Sequence, residues 1–299
     1  MYFSQAAVVA FAGLAAAAPL HVKRAEVTDA DILNYALTLE HLEDTFYREG
    51  LSKYSEKDFA DAGFDATFYK NLKKVSQDET DHVNFITGAL KAAGATPVAE
   101  CTYDFGYTDV NTFLATASIL EGVGVSAYLG AAAKIMEKDY LTAAGSILTV
   151  EARHSAYLRS KLGKSPYPQA FDAPLTLDEV FSLASPFIVS CPSTNPALPV
   201  KAFPALALDP ATPPVKTGDT VRILTPDYTF ELDEGVQVYA AFIAVTGPTF
   251  VPATQVDGGF SVEIPKGFAG QTYVVLTSCA DAVSDDTTAA GPAIIEISS

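Results

Sequence analysis

The sequence predicts an α+β multidomain protein: a four-helix bundle followed by a small C-terminal β-sandwich. Three observations carry this. Four long segments between residues 29 and 162 place apolar side chains at helical spacing. Glu-x-x-His occurs twice inside them, as Glu79-Thr80-Asp81-His82 and Glu151-Ala152-Arg153-His154. Beyond about Asp219 the pattern changes to short β-type runs separated by turn residues.

The first helix is expected from about Asp29 to Glu49. Thr28 and Asp31 form a capping pair, and Gly50 suits a C-terminal stop. Leu33, Leu37, Glu40, Asp44 and Tyr47 share its stripe, with Ala36 and Glu43 at the edge. Glu43, one turn from Glu40, can support the ligands from behind, although a Glu at such an edge is most often solvated. A short helical piece around Ser55–Asp61 leads to a second long helix, Asp65 to Ala93, closed by Gly94. Its stripe is Leu72, Val75, Glu79, His82, Ile86 and Leu90. The third long helix, Asp109 to Ala133, has Glu121 as its only carboxylate or base after Thr112. The fourth, Asp139 to Leu162, is closed by Gly163 and carries Ala144, Leu148, Glu151, His154 and Leu158 on one stripe.

These four helices hold a recurrent order. A lone Glu (Glu40, then Glu121) is followed seven residues later by a Tyr (Tyr47, then Tyr128), and then by Glu-x-x-His. Seven residues make two helical turns, so each Tyr shares a face with its Glu. Residues three apart also share a face, so each Glu-x-x-His aims a carboxylate and an imidazole at one point. Two lone Glu and two such pairs are the ligand inventory of a di-metal site inside a bundle. The candidate metal ligands are Glu40, Glu79, His82, Glu121, Glu151 and His154. Glu79 and a residue of the Glu121 type are expected to bridge two ions, with His82 and His154 terminating one each. His41 lies about 100° around the helix from Glu40 and stays outside this set. An unpaired buried carboxylate at Glu121 would cost several kcal/mol, roughly, and a cation removes that cost.

Connection lengths fit a bundle with one long crossover. About five residues join the third and fourth helices, as antiparallel neighbours require. About 15 residues, Gly94 to Thr108, join the second and third. Fully extended they reach on the order of 50 Å, enough to cross a bundle about 37 Å long. Thr112–Ala133 is long enough to span a membrane, but its Gly, Ala and Ser content and central Glu121 read as a helix buried in protein.

Residues 164–216 are rich in Pro and Ser, with a helical patch near Leu177–Ala184. The β-type runs are Val221–Leu224, Val236–Val245, Phe260–Ile264, Thr272–Thr277 and Ala293–Ile297. That region has no His and one Cys, so it offers a structural or binding role rather than chemistry. The expected divisions are residues 1–24 as a leader, 25–205 as the bundle with its wrapping segment, and 206–299 as the β-sandwich.

The formal net charge is -17. This argues against nucleic acid and anionic membrane surfaces as partners, because both repel an acidic chain. Residues 1–20 carry no charge and end in small residues, Ala15 and Ala17, the mark of a secretory signal peptide. Lys23-Arg24 suits dibasic processing. The expected location is therefore extracellular or in the cell wall, without an integral membrane span in the mature chain. Three cysteines, Cys101, Cys191 and Cys279, allow three pairings. Cys101–Cys191 is favoured, because both lie in segments that wrap the bundle, and it leaves Cys279 free.

The segments LNYALTLEHLEDTFYREGL, QDETDHVNFITGAL, ILEGVGVSAYLGAA and ILTVEARHSAYLR resemble the ferritin-like domain of secreted fungal proteins of the late sexual development and stress-response type. Plant desiccation-related proteins are similar, and FIVSCPSTNP also matches the pattern. The resemblance covers about residues 27–205, plus the β-type tail. It implies a ferritin-like fold and metal ligation by the same six residues. It implies no particular reaction. Two Fe or Mn ions and a small oxidant, peroxide or oxygen, are the expected partners, with non-catalytic metal binding as the alternative.

Overall fold

A computed structural model describes residues 27–226, 228–232 and 235–298 of the chain. The expected leader, with its Lys23-Arg24 site, lies outside the described residues.

Four long helices form the bundle: α1 (Asp29–Lys53), α3 (Ala66–Ala92), α4 (Val110–Ala132) and α5 (Lys138–Lys161), with the short α2 (Glu56–Asp61) between α1 and α3. Thr28 caps α1 reciprocally with Asp31, as read from the sequence. Gly94 and Gly163 take positive φ (74° and 73°) just beyond α3 and α5 and end them. Gly50 does not stop α1, which runs on to Lys53. Its role is close approach: a Cβ there would sit 2.1 Å from the Phe113 ring of α4. The pairs α1–α3 and α4–α5 are each packed along their length, and the crossover from Ala93 to Asp109 carries the chain between them.

The crossover is held down. β1 (Thr102–Tyr103) pairs antiparallel with β2 (Ile188–Ser190), beside a Cys101–Cys191 disulfide, and Cys279 is free. Asn195 adds two hydrogen bonds to the backbone of Ala99. The pairing favoured from sequence is the one formed.

Beyond α6 (Leu177–Ala184) lies an antiparallel β region. Its strands are β3 (Ala207–Leu208), β4 (Thr220–Leu224), β5 (Val238–Phe242), β6 (Thr249–Val256), β7 (Gly259–Glu263), β8 (Gly270–Thr277) and β9 (Thr288–Ile297). They form a seven-stranded sheet in the order β3-β4-β7-β6-β5-β8-β9. The long β6 pairs with β5 through residues 249–253 and with β7 through 254–256, so one strand serves both halves. The halves enclose a core that includes Ile223, Phe242, Phe260, Leu276 and Ile295. β6 escaped the sequence reading because Pro252 and its polar residues weaken the β signal.

The bundle and the sheet share an apolar layer. Val123 and Ala127 of α4, Leu177 and Val180 of α6, and Ala241, Tyr273 and Val275 of the sheet are all buried in it. Tyr273 donates to the carbonyl of Gly122 (2.8 Å), and Gln271 donates to that of Ile119 (3.1 Å). Arg159, 5% exposed, forms a two-pronged ion pair with Glu296 at 2.8 and 3.0 Å. α4 is long and apolar enough to cross a membrane by length and composition, yet most of it is buried within the protein.

Cys101 and Cys191 are 90 residues apart, so the bridge restricts a long stretch of unfolded chain. Replacing both by Ser should lower unfolding free energy by about 2–5 kcal/mol. Urea denaturation of the variant, and of the parent chain with and without reductant, checks this. Equal midpoints would show the bridge to be energetically silent.

Candidate metal centre

All six residues singled out in the sequence meet halfway along the bundle. Glu40 comes from α1, Glu79 and His82 from α3, Glu121 from α4, and Glu151 and His154 from α5. The four carboxylates are no more than 1% exposed, and His82 and His154 are 9% and 7% exposed. They form two overlapping groups of donor atoms. One is Glu40, Glu79, His82 and Glu151; the other is Glu79, Glu121, Glu151 and His154. Within each group the donor atoms lie within 4.8 Å of one another.

The shared members are therefore Glu79 and Glu151. The expectation named Glu79 and a residue of the Glu121 type as the shared ligands; Glu79 lies in both groups, and Glu121 in one. Glu121 belongs to one group only, as Glu40 does to the other. The reason is register between helices. Both Glu-x-x-His carboxylates reach the middle of the cluster, while the lone Glu residues flank it. Glu79 shows this directly: one oxygen lies 3.1 Å from His82 Nδ1 and the other 3.0 Å from His154 Nδ1.

His82 Nδ1 faces oxygens of three carboxylates: Glu79 at 3.1 Å, Glu40 at 3.2 Å and Glu151 at 3.3 Å. One ring nitrogen carries at most one proton, so it satisfies few of them. Buried atoms are left without a hydrogen-bond partner: Glu40 Oε2, Glu79 Oε1, Glu121 Oε2, both Glu151 oxygens and His154 Nδ1. Buried polar atoms without partners are rare in proteins. Here they converge on two points, and a cation at each would satisfy them together. Four carboxylates also match the charge of two divalent ions. The donor set thus fits a dinuclear metal centre.

Tyrosines complete the arrangement. Tyr47 of α1 donates to Glu121 of α4, and Tyr128 of α4 donates to Glu40 of α1. Each Tyr follows its own Glu by seven residues, about 10.5 Å along the axis. Antiparallel helices with that shared spacing match each Tyr to the opposite Glu. The pairing is across helices, not within them. His154 Nε2 lies 3.4 Å from Asp78, which orients the ring from behind. His41 is turned away, with Nε2 3.3 Å from the carbonyl of Val98.

Three contributors lie outside the six candidate ligands. Glu43, expected to be solvated, is 5% exposed and faces the cluster. Burial, then the charges of Glu151 and Glu79, raise its carboxyl well above the usual range. Its place one turn from Glu40 was the available signal. Gly124 makes room: a Cβ there would stand 2.9 Å from a Glu151 oxygen and 3.1 Å from one of Glu43. Asp78, beside the first Glu-x-x-His, is the third.

The protonation pattern follows from burial and crowding. Desolvation raises Glu40 to about 7 and Glu151 well above the normal carboxyl range. Glu79 is lowered: its burial is outweighed by the two histidines. His154 is raised to about 11; its burial opposes this, and the charge of Glu121 leads the groups that overcome it. His82 is likewise raised, by Glu151, Glu40 and Glu79, against its own burial.

A group whose pKa rises on folding stabilises the fold below its unfolded value and loses that contribution as pH climbs through the folded value. Glu40, Glu43, Glu151, His82 and His154 all act in this sense. Carboxyls lowered on folding, such as Glu79, contribute fully above about pH 5 and add no further slope. The metal-free protein should therefore lose thermal stability steadily from pH 5 to pH 8. Melting temperatures of chelator-treated protein test this, and a flat or rising profile would contradict the electrostatics described.

The family comparison supports the helical part of this architecture. Residues 28–164 match the family described as ferritin-like domain. Protein rds1 of Schizosaccharomyces pombe is 30% identical over 252 residues, which cover 84% of this chain and 60% of that protein. The chain thus spans less than two thirds of the length of this curated relative. A conserved hypothetical protein of Mycobacterium tuberculosis, known from its crystal structure, aligns with 48% of this chain and 96% of its own. That alignment has a TM-score of 0.39 and 21% identity. On the family match, and with helices α1–α5 placed as described, the N-terminal part of this chain is a ferritin-like domain, followed by an antiparallel β region.

Proposed function

We propose that this is a secreted protein whose bundle holds two iron or manganese ions, and that the loaded centre reacts with peroxide or oxygen in a protective or developmental role. The observation that carries the reading is the pair of buried donor groups sharing Glu79 and Glu151. Carboxylates and imidazoles suit iron and manganese. Glu40 and His82 would hold one ion, Glu121 and His154 the other, and Glu79 and Glu151 both. Bound there, two redox-active ions would supply electrons to a small oxidant.

The chain's own groups prepare the site. Tyr47 and Tyr128 fix the orientation of Glu121 and Glu40. Asp78 fixes the ring of His154. Secretion is supported by the uncharged, apolar first 20 residues and by the Cys101–Cys191 disulfide, which belongs to an oxidising compartment.

Elemental analysis after anaerobic loading should find two ions per chain, and the loaded protein should consume peroxide or oxygen. No metal would refute the site. Metal without turnover would leave a metal-binding protein with no redox activity.

The shared and unshared ligands make a sharper prediction. Glu79→Ala or Glu151→Ala should remove both ions. His82→Ala or His154→Ala should leave about one, and His41→Ala should leave two. Stoichiometry by mass spectrometry under native conditions reads the difference. Equal loss in all five variants would mean that the two positions are not separate.

A further inference from the structure

A cavity of about 260 Å³ lies where the bundle meets the sheet. It shares no residue with the buried Glu and His cluster. Its walls come from α4, α5, the segment 166–173 and β8. Two glycines let these walls approach. A Cβ at Gly122 would stand 2.6 Å from the Gln271 amide, and one at Gly270 would stand 2.2 Å from Pro168. Gly270 also takes a φ of 73°, which few other residues adopt.

One part of the wall is fixed by its own hydrogen bonds. Ser126 donates to the Gly122 carbonyl at 3.0 Å, and Gln271 donates to the Tyr273 hydroxyl at 2.9 Å. Arg159 donates to the Ser165 carbonyl at 2.8 Å and holds Glu296 with its two end nitrogens, which anchors the start of the segment 166–173. Other polar groups are uncommitted. Ser155, Gln169 and Asp172 line the cavity, and their side chains make no hydrogen bond or ion pair among the described residues. Tyr167 also lines it and is 81% exposed, so its ring stands at the mouth. That ring packs on no other aromatic ring among the described residues.

The charges around the cavity cancel. Glu296 takes both Arg159 and Lys164, which leaves one positive charge over, and Asp172 supplies one negative charge. A concave site at a junction between two parts of a chain, apolar with a few convergent polar groups, is a common setting for a small ligand. Here the free groups are a hydroxyl, a carboxamide and a carboxylate, which together accept several O–H donors and return one or two. The two oxygens of Asp172 can take adjacent hydroxyls in charge-assisted bonds. Between these groups lie apolar side chains, Val125, Ala156 and Ala173. The negative face of the Tyr167 ring attracts weakly positive C–H groups. Hydroxyls on an edge and C–H groups on a face occur together in a sugar ring. At about 30 Å³ per water, one pyranose with its hydroxyls displaces about six waters, and two would displace about twelve, more than the cavity holds. We propose that this cavity binds one neutral pyranose, with adjacent hydroxyls on Asp172 and a C–H face against Tyr167. Its binding does not depend on whether metal is held in the bundle.

Ligand-observed NMR titration of the full chain tests this with the methyl pyranosides of glucose, galactose and mannose. The comparators are the matching uronic acids, the matching 2-amino sugars and the acyclic polyol sorbitol. We expect at least one neutral pyranoside to bind with a Kd of about 10 mM or tighter, and its charged and acyclic comparators to bind about tenfold more weakly. Tyr167→Ala and Asp172→Ala change exposed side chains, so both variants should keep the parent melting temperature, and each should weaken that sugar by about tenfold. Phe171→Ala, on the same segment but outside the cavity wall, should leave the affinity unchanged. Absence of binding by all three pyranosides would overturn the proposal, as would unchanged affinity in both Tyr167→Ala and Asp172→Ala. Tighter binding of a charged sugar would overturn the neutral ligand, and tighter binding of sorbitol the ring. Equal weakening by Phe171→Ala would overturn the contacts assigned to Tyr167 and Asp172.

Discussion

Five carboxylates buried at one level of a helix bundle form the constraint on which the rest of this structure depends. Glu40, Glu43, Glu79, Glu121 and Glu151 are each at most 5% exposed. Removing charge from water without compensation costs several kcal/mol per group, roughly. Two imidazoles and two tyrosine hydroxyls answer part of that cost. The atoms still lacking partners define where positive charge belongs. Helix register, the long crossover and the disulfide can be understood as means of holding these groups together against their mutual repulsion.

The reciprocal tyrosine bonds show how register is fixed. Tyr47 to Glu121 and Tyr128 to Glu40 tie α1 to α4 at two levels. A slip of one turn along either helix would break both. The Glu-x-x-His pairs lie on the other two helices, α3 and α5, and each is secured by packing against its hairpin partner. Two similar hairpins thus supply equivalent halves, and the shared carboxylates, Glu79 and Glu151, come from equivalent places in each.

The meeting of these six residues was legible in the sequence because spacing along a helix is fixed by helix geometry. Glu79 and His82 face one way in any straight helix, and so do Glu151 and His154. Which carboxylates belong to both groups was not legible, because it depends on how four helices are staggered, and the sequence carries no direct signal of stagger. Glu43 lay at the edge of its stripe, where a few degrees of helix rotation separate solvent from core. Gly50 reads locally as a helix stop, yet it serves contact with Phe113, a residue from another helix. The β region was legible as a class. Its strand pairing, with β6 bent across both halves, rests on long-range contacts that alternation does not reveal.

α4 joins these themes. It is apolar nearly all round because most of it is buried, with Thr112, Ala115 and Ile119 exposed near its start. One face presents Glu121 and Gly124 to the cluster, and the other lies against α6 and the sheet. Its glycines divide between the two tasks. Gly124 gives space to Glu43 and Glu151, whereas Gly122 and Gly130 admit Gln271 and the backbone of Leu175 at distances a Cβ would block. The β region is therefore not a detached appendage. It covers the helix that carries Glu121, and it hydrogen-bonds to the Gly122 carbonyl directly after that residue. The clustered Glu and His residues lie in the bundle, yet the position of Glu121 rests on both parts of the chain.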